Sequence, residues 1–163
     1  MTVVLTGRTI SRQAEKNNQG IYKHMALVGL LEDNAGIAKM SATMLHYRGH
    51  QVAVYACARE CLQALSVLDT CLDGRLSSMH SRLPLDVLVL DLHLPDIDGV
   101  EVLLRLRSHP RTRSLPLIFC TAATPAEVTR AMKIAPHAGL VRKPFHLDEL
   151  SEAITSALVT VSK

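Results

Sequence analysis

Aromatic residues are scarce in this sequence, which contains three tyrosines, two phenylalanines and no tryptophan among 163 residues. Because 48% of the residues are nevertheless hydrophobic, leucine, valine, alanine, isoleucine and methionine must supply the core. A chain of this length is sufficient for one domain with a core of its own. The composition therefore predicts one globular domain, together with a tail.

Long hydrophobic runs are absent as well. No apolar run reaches the roughly 18 residues that a membrane-spanning helix requires. Arg8, Arg12, Glu15 and Lys16 interrupt the N-terminus too early for the apolar region of a secretory signal. The four cysteines form no CxxC pair. In a cytoplasmic protein of this size we expect them to be free thiols. These absences predict a cytoplasmic protein without membrane insertion.

The charge is not spread along the whole chain. Residues 1–24 hold four basic residues and one acid, whereas the remaining 14 basic and 14 acidic residues cancel. A neutral domain gives no indication of direct nucleic-acid binding. Residues 1–24 are predicted to form a polar, basic and disordered tail, and residues 25–163 to form the domain.

What the chain does contain is a regular alternation of strand and helix patterns. Short apolar runs predict strands, and apolar residues three and four apart predict helices. Strands are predicted at 26–31, 51–56, 85–91, 115–121 and 140–142, and helices at 35–48, 58–68, 98–107, 124–135 and 147–159. This order predicts an α/β fold with a doubly wound, five-stranded parallel sheet flanked by five helices. Residues 69–84 are expected to form a long, mobile surface loop.

One strand of the predicted sheet ends in an acidic residue. The run from Leu85 to Leu90 is apolar apart from Asp86, which is typical of a strand buried on both faces, and Asp91 follows it. Open α/β sheets place their chemistry at the carboxyl ends of the strands. A charge buried there is costly unless something binds it. Because Asp98 can cap the next helix, Asp91 is left for a functional role.

Reactive side chains follow the other strands too. Glu32 and Asp33 follow the first strand, Thr121 ends the fourth and Lys143 follows the fifth. Any one of them alone could be a helix cap or a solvated charge. Together with Asp91 they place three carboxylates at one edge, and these repel one another unless a cation lies between them. All-oxygen ligands favour Mg²⁺, which prefers to share a phosphate oxygen.

This set of groups suits phosphoryl transfer to a carboxylate. An oxygen of Asp91 would attack phosphorus and form an acyl phosphate, while Mg²⁺ and Lys143 would stabilise the charge on the transferring group.

The same segments carry a resemblance to a known family. They are Leu31-Glu32-Asp33, the run from Asp91 to Gly99, Thr121-Ala122 and Lys143-Pro144-Phe145. Over about residues 25–159 the chain resembles the receiver domain of two-component response regulators, the CheY-like family. The resemblance implies a signalling domain that promotes its own phosphorylation and dephosphorylation, rather than a metabolic enzyme.

The resemblance also implies a role for each site residue. Asp91 would accept a phosphoryl group from a histidine kinase or phosphotransfer protein. Glu32, Asp33, Asp91 and the backbone carbonyl of His93 would hold Mg²⁺. Thr121 would bond the phosphoryl group, Lys143 would pair with it, and the bond from Lys143 to the following proline is expected to be cis.

Two features bear on how the signal leaves the domain. The position three before Lys143, which is often aromatic in this family, is Leu140. Only 20 residues follow Lys143, so we expect no output domain. Output is expected through phosphorylation-dependent binding to a downstream effector protein, with a homodimer linked to phosphorylation as a further expectation.

Two alternative functions stay open at this point. A phosphatase of the haloacid dehalogenase type also uses a strand-end aspartate with Mg²⁺, but it requires a second acid two residues later, where this chain has His93. A receiver-like module that binds its partner without phosphorylation is the other alternative. The intact acidic pair, Asp91, Thr121 and Lys143 argue against it.

Overall fold

The computed structural model describes residues 15–16, 22–23, 25–65 and 83–160. Within residues 25–65 and 83–160, five strands form one parallel sheet: β1 (Leu27–Leu31), β2 (Gln51–Tyr55), β3 (Val87–Leu90), β4 (Leu117–Thr121) and β5 (Gly139–Arg142). The helices are α1 (Ala35–Tyr47), α2 (Ala58–Ala64), α3 (Gly99–Ser108), α4 (Pro125–Ile134) and α5 (Leu147–Thr160). The strand order β2-β1-β3-β4-β5 makes β3 the central strand. The predicted fold class is confirmed.

Several predictions concern residues that the structure describes only in part. Residues 15–16 pair antiparallel with residues 22–23, but the rest of the predicted tail and nearly all of the predicted loop at 69–84 lie outside the described residues. Both remain predictions. Cys57, Cys61 and Cys120 are free thiols, whereas Cys71 also lies outside. Among the described residues, none of the helices combines the length and apolarity that a membrane crossing requires.

Two apolar cores cover the two faces of the sheet. Alternate residues of a strand point to opposite faces, and β3 divides accordingly. Val87 and Val89 pack with residues of α1 and α5, whereas Leu88 and Leu90 pack with residues of α2, α3 and α4. All four residues are buried, as expected for a central parallel strand. The helices therefore cover the faces and leave the carboxyl edge of the sheet accessible.

The helices that start at this carboxyl edge have defined N-terminal caps, and Asp98 occupies the cap position that the sequence predicted. Asp98 caps α3 by accepting a hydrogen bond from the Val100 amide at 2.8 Å. Glu101 does not complete a capping box, because its carboxylate accepts from Arg105 at 2.9 Å. At α4 the box is complete, since Thr124 and Glu127 each accept from the backbone N–H of the other. The loops that carry the site thus end in well-defined helix caps.

Helix α2 receives its N-terminal cap from a residue distant in sequence. Its N-cap residue, Cys57, makes no capping hydrogen bond with its side chain. Instead the carboxylate of Asp96 accepts from the backbone N–H groups of Ala58 at 3.0 Å and Arg59 at 2.9 Å. Because Asp96 lies between β3 and α3, this cap ties the loop that follows Asp91 to α2.

We expect Asp96→Ala to lower the free energy of unfolding by about 1 kcal/mol, because two helix N–H groups lose their acceptor. Burial acts to raise the pKa of Asp96, but the backbone N–H groups of Arg59 and Ala58 hold it below its usual value. The stabilisation is therefore present at neutral pH and is lost as the pH falls below about 4. Urea denaturation at pH 7 measures the effect. Adding Cys57→Ser to Asp96→Ala should restore part of the lost stability, because serine at the N-cap position can accept from the helix N–H groups. Equal urea midpoints for Asp96→Ala and the parent chain would contradict the capping role of Asp96.

Candidate functional site

Asp91 lies at the carboxyl end of the central strand and is only 6% exposed. Its backbone N–H donates to the carbonyl of Leu31 at 3.1 Å, which continues the pairing of β3 with β1. One carboxylate oxygen, Oδ1, accepts from the amide of His93 at 3.0 Å. The other, Oδ2, accepts from Nζ of Lys143 at 2.6 Å. Both carboxylate oxygens thus accept hydrogen bonds at the carboxyl edge of the sheet, where the sequence predicted the reactive groups.

The two acids after β1 lie beside Asp91. Ligand oxygens of Glu32, Asp33 and Asp91 fall within 4.8 Å of one another. Glu32 is 3% exposed, and its Oε1 accepts from the amide of Asn34 at 3.2 Å, whereas Asp33 is exposed to solvent. Three carboxylates this close, two of them buried and one open to water, match the hard oxygen ligands and retained waters that Mg²⁺ prefers. The residues present therefore fit this ion.

Lys143 supplies the positive charge of the site. Its ammonium bridges two carboxylates, with Nζ at 2.5 Å from Glu32 Oε2 and at 2.6 Å from Asp91 Oδ2. Burial alone lowers the pKa of Lys143, but the hydrogen bonds and the charges of Asp91 and Glu32 outweigh it and leave the pKa above its ordinary value. Lys143 is therefore a protonated donor at neutral pH, placed against the carboxylate that would react.

Thr121 closes the site on the β4 side. It is fully buried, and its Oγ1 accepts from the amide of Ala123 at 3.1 Å. Its backbone carbonyl accepts from the amide of Lys143 at 3.1 Å, which links the ends of β4 and β5. The peptide bond from Lys143 to Pro144 is cis, as the resemblance implied. The Thr121 hydroxyl accepts a hydrogen bond from the Ala123 amide. Its own proton is therefore available to donate to a group that binds at the carboxyl edge of the sheet.

Two contacts at this edge were not anticipated from the sequence. Nε2 of the His93 ring lies 3.1 Å from Oε1 of Glu127, which joins the loop after β3 to the start of α4. Hydrogen bonds from Thr124, and then the one from His93, lower the pKa of Glu127 to about 2. Nη1 of Arg142 donates to the carbonyl of Ala123 at 2.7 Å. Neither contact has a local sequence signal, because its two partners lie in different parts of the chain.

Comparison with known proteins shows the family to which the chain is similar. The response regulator receiver domain family matches residues 28–155. The transcriptional regulatory protein CreB of Escherichia coli (strain K12) is 34% identical over 138 residues, which is 83% of this chain and 52% of that protein. The phosphate regulon transcriptional regulatory protein PhoB of Rhizobium meliloti (strain 1021) is 40% identical over 81 residues, which is 49% of this chain and 35% of that protein.

A solved structure shows the same fold. The chemotaxis protein CheY4 of Vibrio cholerae superimposes with a TM-score of 0.67 at 23% identity, covering 82% of this chain and 99% of that one. At this identity the likeness concerns the fold alone. The chain spans about half the length, or less, of the two curated relatives.

Proposed function

Because the chain belongs to the family of response regulator receiver domains, we propose that Asp91 is its phosphoacceptor. Receiver domains accept a phosphoryl group on an aspartate and act in two-component signalling, where they interact with histidine kinases and effector proteins. The proposed donor is a histidine kinase or a phosphotransfer protein. The observation that carries the proposal is the Asp91 carboxylate, which is buried at the end of the central strand, next to two acids and bonded to a lysine.

Receiver domains generally bind Mg²⁺ through acidic residues, and the acidic cluster supports such a site here. In the proposal, carboxylates of Glu32, Asp33 and Asp91 and the backbone carbonyl of His93 hold the ion. When bound, Mg²⁺ stabilises negative charge on the transferring group as a Lewis acid. The exposed position of Asp33 leaves room for water ligands, which this ion tends to retain.

The chain's own residues account for the remaining steps. A carboxylate oxygen of Asp91 attacks phosphorus, the bond from phosphorus to the donor nitrogen breaks, and the nitrogen keeps the electron pair. The ammonium of Lys143 moves from its carboxylate partners to a phosphoryl oxygen. The Thr121 hydroxyl donates its proton in a hydrogen bond to another phosphoryl oxygen. The product is an acyl phosphate on Asp91.

Phosphorylation then changes protein binding. In the proposal, Lys143 and Thr121 both contact the phosphoryl group, so the modification favours the conformation in which both side chains point toward it. The proposed output is phosphorylation-dependent binding of a downstream effector protein, with homodimer formation as a related outcome. The chain would act as a signalling domain in the cytoplasm, without direct nucleic-acid contact.

Acetyl phosphate with Mg²⁺ tests this function, with intact mass as the readout. We expect a gain of one phosphoryl group per chain, which chelation of Mg²⁺ prevents and Asp91→Ala abolishes. Asp148→Ala, which removes an exposed carboxylate on α5, is the matched control and should retain the gain. Sustained phosphate release over many turnovers would instead indicate a phosphatase. A chain that never gains mass would indicate a module that binds without phosphorylation.

A further inference from the structure

Arg142, the last residue of β5, holds the loop that follows Thr121. Its Nη1 donates to the carbonyl of Ala123 at 2.7 Å, while the amide of Ala123 donates to Oγ1 of Thr121 at 3.1 Å. Ala123 is 1% exposed, whereas Arg142 is exposed. One buried residue therefore connects the proposed phosphoryl-binding hydroxyl with a cation at the surface.

The side of the sheet on which Arg142 lies follows from strand alternation. Val141 packs in the core that contains residues of α5, so Leu140 and Arg142 point to the other face, where α4 lies. Leu140 is 38% exposed. Arg130 and Lys133 are exposed on α4. We call these four residues, Arg130, Lys133, Leu140 and Arg142, the basic surface.

No acid of the described residues neutralises Arg142. Across residues 25–65 and 83–160, none of the ion pairs includes Arg142. Glu127, the acid at the start of α4, already binds His93 and Thr124. Arg142 uses one terminal nitrogen for Ala123, and a guanidinium can present two parallel N–H groups to a carboxylate. The basic surface therefore suits an acidic protein segment that also carries an apolar side chain to contact Leu140.

We propose that Arg142 exchanges partners when Asp91 is phosphorylated. It holds the Ala123 carbonyl in the unmodified chain and binds a carboxylate of an acidic protein segment in the phosphorylated chain. When Thr121 turns to the phosphoryl group, it either breaks its bond with the Ala123 amide or carries that residue along. In the proposal, either change moves the Ala123 carbonyl out of hydrogen-bond distance of Arg142. This inference rests on the proposed function and provides a signal route that requires no aromatic side chain at Leu140.

Thermodynamic linkage gives the exchange a measurable consequence. A ligand that binds Arg142 only when the Ala123 carbonyl has been released must favour the phosphorylated form, and phosphorylation must tighten that ligand by the same factor. If acidic segments bound the basic surface only through general charge attraction, phosphorylation would not change their affinity. Coupling between the two sites, rather than affinity alone, is therefore the quantity to measure.

The test uses the full chain, beryllofluoride with Mg²⁺ as the phosphoryl mimic, and an N-acetylated Glu-Glu-Leu-Glu-Glu peptide as the probe. Fluorescence anisotropy at low salt should show the peptide binding about fivefold tighter, or more, when beryllofluoride is present. Arg142→Ala should remove this ratio. Arg130→Ala, which removes the same charge from an exposed position on α4, should weaken binding in both states and leave the ratio intact.

The outcomes separate this inference from the function on which it rests. A ¹⁹F signal from bound beryllofluoride, absent in Asp91→Ala, reports the acceptor site independently of the peptide. If that signal appears and Arg142→Ala retains the coupling ratio, or the parent chain shows none, the partner exchange is wrong while the acceptor assignment stands. If the ¹⁹F signal never appears, both fail. A carbon-13 chemical shift of the Ala123 carbonyl that does not change when beryllofluoride binds would also contradict the exchange.

Discussion

Replacing Lys143 by methionine is expected to lower the free energy of unfolding by about 3 kcal/mol. The Lys143 side chain is 13% exposed and lies between carboxylates of Glu32 and Asp91, whose side chains are 3% and 8% exposed. Methionine preserves much of the side-chain length and removes the ammonium. Two buried carboxylates would then face each other without a cation, which is costly in an environment of low polarity.

Urea denaturation at pH 7 without divalent ions measures this loss, and Lys133→Met is the matched control. Lys133 is exposed on α4, so the same substitution there should change the free energy of unfolding by less than about 0.5 kcal/mol. Mg²⁺ should then stabilise Lys143→Met more than the parent chain, because the ion replaces the missing charge. Equal losses in the two variants, or equal Mg²⁺ effects on Lys143→Met and the parent chain, would refute the bridging role.

The same contact predicts a dependence on alkaline pH. The pKa of Lys143 is higher in the folded chain than its ordinary value, because the bonds to Asp91 and Glu32 outweigh the effect of burial. A group whose pKa is raised by folding stabilises fully below its unfolded pKa and loses this effect as the pH rises through the folded value. The stability difference between the parent chain and Lys143→Met should therefore persist at neutral pH and shrink only above about pH 10.5.

A methyl group at Gly99 is expected to cost about 3 kcal/mol of unfolding free energy. A Cβ at this position would lie 2.6 Å from both Cα and the carbonyl oxygen of Leu92. These are backbone atoms, so no side-chain rotation relieves the contact. The amide of Gly99 also donates to the Leu92 carbonyl at 3.2 Å, which holds the start of α3 against the loop after Asp91.

The control for Gly99→Ala is Gly36→Ala in the first turn of α1. There the nearest atom to a new Cβ is Oδ1 of Asn34 at 3.2 Å, and alanine favours the helix. We expect a change of less than about 1 kcal/mol in the free energy of unfolding. Gly99→Ala should also slow the mass gain from acetyl phosphate, because the displaced loop carries His93. Equal urea midpoints for the two variants would show that the loop moves freely.

Local patterns predicted the elements better than their ends. The apolar run before Asp91 indicated a strand buried on both faces, and Val87–Leu90 is buried throughout. The helix predicted over 124–135 corresponds to α4, which begins at Pro125 with Thr124 as its N-cap. By contrast, the strand predicted from Leu115 begins at Leu117, because strand ends depend on pairing with a neighbour as well as on hydrophobicity.

Contacts between a loop and a distant helix could not be predicted from the sequence. Asp96 caps a helix that begins 38 residues earlier in the chain, and the His93 ring pairs with an acid 34 residues away. The sequence gives no indication that Asp96 caps α2 or that the His93 ring pairs with Glu127. Side-chain partners of this kind depend on how close a loop comes to a distant helix, which propensity and periodicity do not report.

The sequence by itself determined which reactive groups meet at one edge of the sheet. Glu32, Asp33, Asp91, Thr121 and Lys143 each follow or end a parallel strand, and right-handed crossovers bring the carboxyl ends of such strands together. Only the tertiary structure decided which groups bind one another. The bridge from Lys143 to Glu32 spans 111 residues, and the bond from Arg142 to Ala123 spans 19. Both depend on distances that arise only when the sheet, its helices and its loops pack together.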